Sequence, residues 1–345
     1  MAFIQAMLES GWIVKFWPDN LWFDESYAPA LQALGVEVIH GERRFAGFRE
    51  YVRENGSEID MVMLSRPHIS LPHIAPVREH SRARIVYYGH DLHFRRLARE
   101  AELTENEQLA AESKRLEDME REIWKEVDLV LYPSTEEVDE VRSLEAGTAV
   151  SAISPYAYDE FRQDAIPEGR SGILFVAGFG HPPNVDAALY LVRDVMPKVW
   201  SEHPDARLYL VGANPTAEVV GLRSERVTVT GYVDDEALKR YYQASRVAVV
   251  PLRYGAGIKG KVVEALQQGL PLVTTSTGIQ GLPDAGANCM VADEAGDLAA
   301  GLRCLLRDDE TWRDLSLKGA RYASGLFSRD ALRKQIQRAM TGEAP

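Results

Sequence analysis

Short apolar runs separated by stretches with helical spacing recur along both halves of the chain. In the first half, from residue 11, the runs are WIVKFW, VEVIHG, DMVMLS, RIVYYG and DLVLYPS, with YAPALQALG reading as a helix between the first two. Strands of this kind alternating with helices predict a parallel sheet under covering helices. Between Arg95 and Val127 the charge-mixed, mostly acidic stretch AREAELTENEQLAAESKRLEDMEREIW reads as one helix with a solvated face whose charges serve solubility. The polar segment DEFRQDAIPEGRS (159–171) precedes a sharp return of apolar character at GILFVAG and marks a domain boundary. The second half then repeats the alternation: ILFVAG, the loop GFGHPPN, a helix from about Val185 with Asn184 as N-cap, RLYLVG, VTVTGYV, a helix at 235–244 and VAVVP. In the last stretch, RDALRKQIQRAM, Leu332, Ile336 and Met340 share one helical face. The expected divisions are 1–165, 166–325 and a terminal helical segment 326–345.

The segment 247–275, VAVVPLRYGAGIKGKVVEALQQGLPLVTT, carries the densest pattern. Val247 to Val250 predicts a strand that Pro251 ends, and Gly255, Gly257 and Gly260 remove side chains where the backbone must turn and where a ligand can approach its N–H groups. Val262, Val263 and Leu266 give the following helix its buried stripe, and Gly269 is placed to end it. Lys259 and Lys261 then stand at the positive end of that helix, an unfavourable arrangement unless an anion occupies the turn. Two phosphate-binding readings are open. Gly255, Gly260 and Lys261 satisfy the P-loop pattern GxxxxGK, but the next residue is Val262, which cannot hold magnesium as the P-loop Ser or Thr does. In the other, the segment resembles the nucleotide-sugar site of a glycosyltransferase, and glycine turns before helices also occur in doubly wound proteins without either.

Composition narrows the choice. At 345 residues, with 46% apolar and 26% charged residues, the chain has room for about two globular domains. The formal charge of −13 argues against a nucleic-acid partner and also repels an anionic donor, so a diphosphate needs a local basic pocket, for which Arg253, Lys259 and Lys261 are the clustered candidates. Cys289 and Cys304 lack the spacing of a disulfide framework or zinc site, and no run approaches a membrane span. A cytoplasmic protein with reduced thiols is expected.

The second-half motifs, taken in order, resemble those of retaining glycosyltransferases of the GT-B fold, the group 1 or family 4 class, and the form GAGIKGK resembles a polysaccharide-type sub-branch. FVAGFGHPPNVDA, with Gly178, Gly180 and Asn184, resembles the loop after the first strand of the donor domain; TGYVDD, with Tyr232 and Val233, resembles the loop that cradles the base. The resemblance implies an α/β protein of two Rossmann-like doubly wound domains facing across a cleft, with a terminal helix crossing back to the first. It implies a nucleotide-diphosphate sugar as donor, a glycan or lipid-linked sugar as acceptor, front-face substitution, and no metal or other cofactor. Glu264 matches the glutamate that holds the donor ribose, and Lys259 is the leading phosphate contact, with Lys261 and Arg253 beside it. For Lys261 an intrahelical pair with Glu264 is the alternative. Many relatives carry a further glutamate eight positions before Glu264; here that position is Ala256.

In the first half the richest spot is GHDLHFRR, at the carboxyl end of the strand RIVYY. The same resemblance brings a histidine of this neighbourhood to the donor sugar, which makes His90, Asp91 and His93 catalytic candidates. Each residue type also has a structural use, Asp as a helix cap and His on a surface. A metal reading of HDxH finds no third ligand at a sensible spacing, and no carboxylate pair suits a glycosidase. Complete relatives place a strand and glycine loop ahead of the helix that MAFIQAMLESG predicts, so a first strand is expected to be missing, whether the chain is a section of a larger protein, its true start lies upstream, or the family pattern has been trimmed. For the basic face of the terminal helix, contact with a membrane surface is the alternative to crossing back.

Overall fold

In a computed structural model, which describes residues 1–41, 45–162, 164–255 and 257–341, the apolar runs become short strands, and every strand pairing among the described residues is parallel. The chain forms two compact units, Met1–Pro155 with Arg329–Pro345 and Tyr156–Ser328. Ala256 and the side chain of Met340 lie outside the described residues.

Unit 1 holds two separate sheets. β1 (Lys15–Phe16) pairs with β2 (Glu37–Val38), while β3 (Met61–Ser65), β4 (Arg84–Tyr88), β5 (Leu129–Tyr132) and β6 (Val150–Ala152) lie side by side in chain order. β6 follows no run singled out in the sequence; it is three residues long and joins the edge of a sheet already set by β5. Ile85, Tyr87, Val130 and Tyr132 pack against Val77, Ile123 and Trp124 to form the core. Burying each such side chain contributes roughly 1.5–3 kcal/mol, enough that these strands need little length to persist.

The acidic stretch is two helices, His93–Thr104 and Glu107–Glu126, rather than one. Glu105 takes a left-handed conformation with φ of 51°, and the Asn106 side chain accepts from the N–H groups of Gln108 and Leu109, which ends one helix and caps the next. Nor are all its charges solvated, since Glu120 is fully buried. The terminal helix Arg329–Thr341 buries Leu332 and Ile336 within unit 1, where Arg329 pairs with Glu9 of the helix Ala2–Glu9 at 2.8 Å.

Unit 2 contains one six-stranded sheet in the order β12-β11-β10-β7-β8-β9, built from β7 (Ile173–Val176), β8 (Leu208–Val211), β9 (Val227–Val229), β10 (Val247–Val250), β11 (Leu272–Thr274) and β12 (Met290–Val291). Its interior is nearly all aliphatic, and Val247, Val249, Val262 and Val263 are wholly buried in it. The division from unit 1 falls after Pro155 rather than at 165/166. The polar segment is a strap on unit 2, because Tyr156, Tyr158 and Phe161 pack on its core, Tyr158 N–H donates to the Phe327 carbonyl at 2.8 Å, and the Arg170 guanidinium donates to the carbonyls of Tyr242 and Ser245. The terminal helix correspondingly starts at Arg329.

Candidate functional site

β7 lies at the centre of the unit 2 sheet with β8 on one side and β10 on the other. The chain leaves β7 toward β8 and later crosses to β10, so the loops after β7 and β10 diverge and leave a crevice between them, the usual ligand position in an open α/β sheet. Both loops are glycine-rich. Gly178 and Gly180 follow β7, and a Cβ added at Gly178 would meet open space while one at Gly180 would make only ordinary contact with Asn214. Their role is to leave backbone uncovered. After β10, Gly255 and Gly257 have φ of 146° and 70°, conformations that side chains strain, and a Cβ on Gly260 would press on the Tyr156 ring at about 3 Å.

The lysines of this turn differ sharply. Lys259 is the N-cap residue of the helix Gly260–Gln267, is 8% exposed, and folds its ammonium back to the Gly257 carbonyl at 2.5 Å. Lys261 lies one residue into the helix and reaches across the switch point, donating to Asn184 Oδ1 at 2.6 Å, while Asn184 Nδ2 donates to the Gly178 carbonyl at 2.8 Å. Burial, and next the adjacent Lys259 charge, push the Lys261 ammonium down to about 8. Lys261 therefore does not pair with Glu264 along the helix. Asn184 does not cap its helix either: Pro182 and Pro183 open the helix Pro182–Tyr190, His181 is the N-cap, and the buried Asn184 is free to join the two loops.

Glu264, one turn further on, is held from another direction. The wholly buried Tyr242 donates its hydroxyl to Glu264 Oε2 at 3.0 Å. Burial raises the Glu264 carboxyl, while this hydrogen bond opposes the rise. Arg253 departs from expectation, because its guanidinium grips both oxygens of Asp186 and stacks over Tyr190, so its charge is already neutralised. Tyr232 is 79% exposed and Val233 half-buried, both in the loop after the edge strand β9. The structure thus joins Gly178, Asn184 and Lys261 directly, places Lys259 and Glu264 on the same helix, and leaves Tyr232 and Val233 at the sheet's edge. Tyr242 and Asp186 were not singled out in the sequence. A tyrosine on the buried face of a helix does need a partner for its hydroxyl, a signal available for Tyr242; Asp186 offered none.

In unit 1 the candidates cluster where β4 ends. His90 is exposed, with its Nε2 2.8 Å from Ser65 Oγ at the end of β3, and desolvation by its neighbours, then the Arg66 charge, lowers its pKa. Asp91 pairs with Arg96 at 3.1 Å and does not cap the following helix. His93 is 7% exposed and turned inward, with Nδ1 3.3 Å from Asp91 and 3.4 Å from Glu120. Burial would lower its pKa, but Glu120 and Asp91 outweigh burial and hold it above the ordinary value. Glu120 also accepts from the Tyr132 hydroxyl at 3.1 Å. His90 is therefore the accessible member of the trio, Asp91 is partly so, and His93 is an internal tie.

Residues 170–308 match the family model for glycosyl transferases group 1. A Klebsiella pneumoniae relative described as an uncharacterized 44.6 kDa protein in the cps region is 24% identical over 169 residues, covering 47% of this chain and 42% of that protein. The chain spans less than half the length of the curated relatives it matches. Among solved structures, Anabaena HepE in complex with UDP superposes with a TM-score of 0.73 at 15% identity, covering 99% of this chain and 94% of that one. Sucrose-phosphate synthase from Thermosynechococcus elongatus gives a TM-score of 0.68 at 18% identity, covering 99% and 91%. The fold is GT-B, and within unit 2 residues 170–308 are similar to the group 1 glycosyl transferases.

Proposed function

We propose that the chain transfers a sugar from a nucleoside-diphosphate donor to a glycan or lipid-linked acceptor, with retention at the anomeric carbon and without metal. The observation that carries the reading is the Lys261–Asn184–Gly178 link, which draws an ammonium into the crevice at the switch point beside Lys259 and the first N–H groups of the helix Gly260–Gln267. Two positive charges and helix N–H donors suit a diphosphate there. Glu264, oriented by Tyr242, keeps Oε1 for a ribose diol. UDP is the first nucleotide to test, because the Anabaena neighbour is a complex with UDP.

In this reading the bond from the anomeric carbon to the β-phosphate oxygen breaks as the acceptor hydroxyl forms its bond on the same face. The acceptor proton passes to the departing phosphate. The lysines and helix N–H groups stabilise the charge that develops on that phosphate, so no protein nucleophile is required.

Thermal unfolding with UDP, GDP, dTDP and ATP, each with and without magnesium, tests the site. One nucleoside diphosphate should stabilise the protein without magnesium, and Glu264→Ala and Lys259→Ala should each abolish the shift while folding normally. Lys259→Ala should also lower turnover far more than stability. Stabilisation by ATP with magnesium alone would replace this reading with a nucleotide hydrolase.

A further inference from the structure

Glu120 is wholly buried in unit 1, where a carboxylate is costly unless it is paired and hydrogen-bonded. Its neighbours supply those partners. The Tyr132 hydroxyl donates to Oε1 at 3.1 Å and itself accepts from Trp124 Nε1 at 3.3 Å, which fixes the direction of the bond. The Phe94 N–H, in the first turn of the helix His93–Thr104, donates to Oε2 at 3.4 Å. The N-cap residue of that helix, Leu92, has no side chain that can cap, so the Glu120 carboxylate stands in at its positive end.

What these contacts hold is the loop Gly89–Phe94. A Cβ on Gly89 would lie 2.2 Å from the Tyr132 ring, so the loop leaves β4 pressed against the same tyrosine that reaches Glu120. At the other end of the loop Ser113 Oγ donates to the Phe94 carbonyl at 2.8 Å. His93 Nδ1 stands between two carboxylates, 3.4 Å from Glu120 Oε1 and 3.3 Å from Asp91 Oδ1, an attraction shared by both. The remaining Asp91 oxygen faces the exposed Arg96 at 3.1 Å. A buried carboxylate is thus joined to a partly exposed one through a single imidazole ring.

We propose that Glu120 is the positioning residue of this loop: through the imidazolium of His93 it fixes the direction of Asp91, and the tie loosens when His93 gives up its proton. A neutral ring offers at most one N–H at Nδ1 and loses its charge attraction for both carboxylates, which leaves Asp91 held by Arg96. Burial lowers the His93 pKa, but Glu120 and Asp91 outweigh burial and Arg96, so the folded value lies above the ordinary 6.5. Its stabilisation is therefore complete below 6.5 and is lost as pH rises through the folded value. From the helix Thr135–Leu144, Glu137 acts on Asp91 and Glu140 pairs with Arg95, while Tyr87 and Tyr132, raised by burial, stay neutral. A catalytic use of Asp91 would rest on the transferase reading; the tie does not.

The test follows the histidine rings by NMR between about pH 5 and 9 and amide exchange at Phe94 by mass spectrometry, on the full chain and its variants Glu120→Gln and His93→Gln. In wild type His93 should titrate above 6.5. Glu120→Gln should lower the His93 pKa. It should also raise that of His90, which desolvation, Arg66 and then the His93 charge hold down. Phe94 should exchange about tenfold faster in Glu120→Gln, the loss of one charged hydrogen bond. His93→Gln should remove the fall in melting temperature that wild type shows as pH rises through the His93 pKa. That variant leaves Glu120 its bonds from Tyr132 and Phe94, so it carries the test alone if Glu120→Gln fails to fold. A Glu120→Gln protein that melts lower at every pH with both histidine titrations unchanged overturns the proposal, and so does a wild-type pH slope in His93→Gln. Both variants should keep the wild-type shift with UDP. If no nucleotide shifts wild type either, the transferase reading fails and the tie stands or falls on the titrations.

Discussion

At the scale of single residues, Lys261 has two pH dependences of opposite sign. Its pKa in the folded chain is about 8 against an ordinary 10.5, so between these values the unfolded chain binds more protons. Stability contributed by this residue therefore rises as pH increases from about 8 toward 10.5. A diphosphate prefers the charged ammonium, so its affinity should fall as pH rises through about 8, by at most about tenfold per pH unit for one proton. Calorimetric titration and thermal melting of wild type beside Lys261→Met check both: the variant should lose both dependences and bind more weakly at pH 7. A variant with the wild-type profile would assign the titration elsewhere. Lys261 and Glu264 were legible in the sequence because glycines, lysines and an apolar stripe share one short segment. The pairings were not, since Asn184, itself singled out, lies 77 residues from Lys261, and Tyr242, which was not, lies 22 from Glu264, on helices that only the sheet order brings near.

At the scale of elements, the break at Glu105–Asn106 decides what unit 1 presents. One uninterrupted helix would carry its charges to solvent, as the sequence pattern suggested. With the break, the helices His93–Thr104 and Glu107–Glu126 pack on each other, and Glu120 meets His93 and Tyr132. Neither the Asn106 cap nor the left-handed Glu105 was read from the sequence, because one asparagine inside a charged helical run does not break its pattern and glutamate has no preference for the left-handed conformation. Two substitutions should then act in opposite directions. Asn106→Ala removes two accepted N–H bonds and should cost about 1 kcal/mol. Glu105→Gly relieves the left-handed backbone and should be neutral or stabilising by up to about 1 kcal/mol. Urea denaturation of the two variants measures both, and destabilisation by Glu105→Gly would mean that the Glu105 side chain contributes more than its backbone conformation costs.

At the scale of the molecule, the alternation of strand and helix patterns was enough to give two parallel α/β units, because buried parallel strands are apolar throughout and each run is bounded by a turn. The division between them was displaced by ten residues, because 159–171 reads as a polar linker while two of the aromatic residues that anchor it, Tyr156 and Tyr158, precede it. Tyr156, Tyr158 and Phe161 pack on the unit 2 core, and Arg162 N–H donates to the Gln267 carbonyl at 3.1 Å, at the end of the helix that carries Lys261 and Glu264. A fragment beginning at 166 would expose that core and leave the helix end unsupported. The three rings are half-buried, so each contributes less than the roughly 1.5–3 kcal/mol of full burial, together still a sizeable share of a domain's stability of about 5–15 kcal/mol. Residues 156–328 should therefore unfold in a single cooperative transition and keep the thermal shift with the nucleotide that stabilises the full chain. Residues 166–328 should melt far lower or fail to fold, and if both fragments melt together the strap contributes nothing and the division belongs at 165/166.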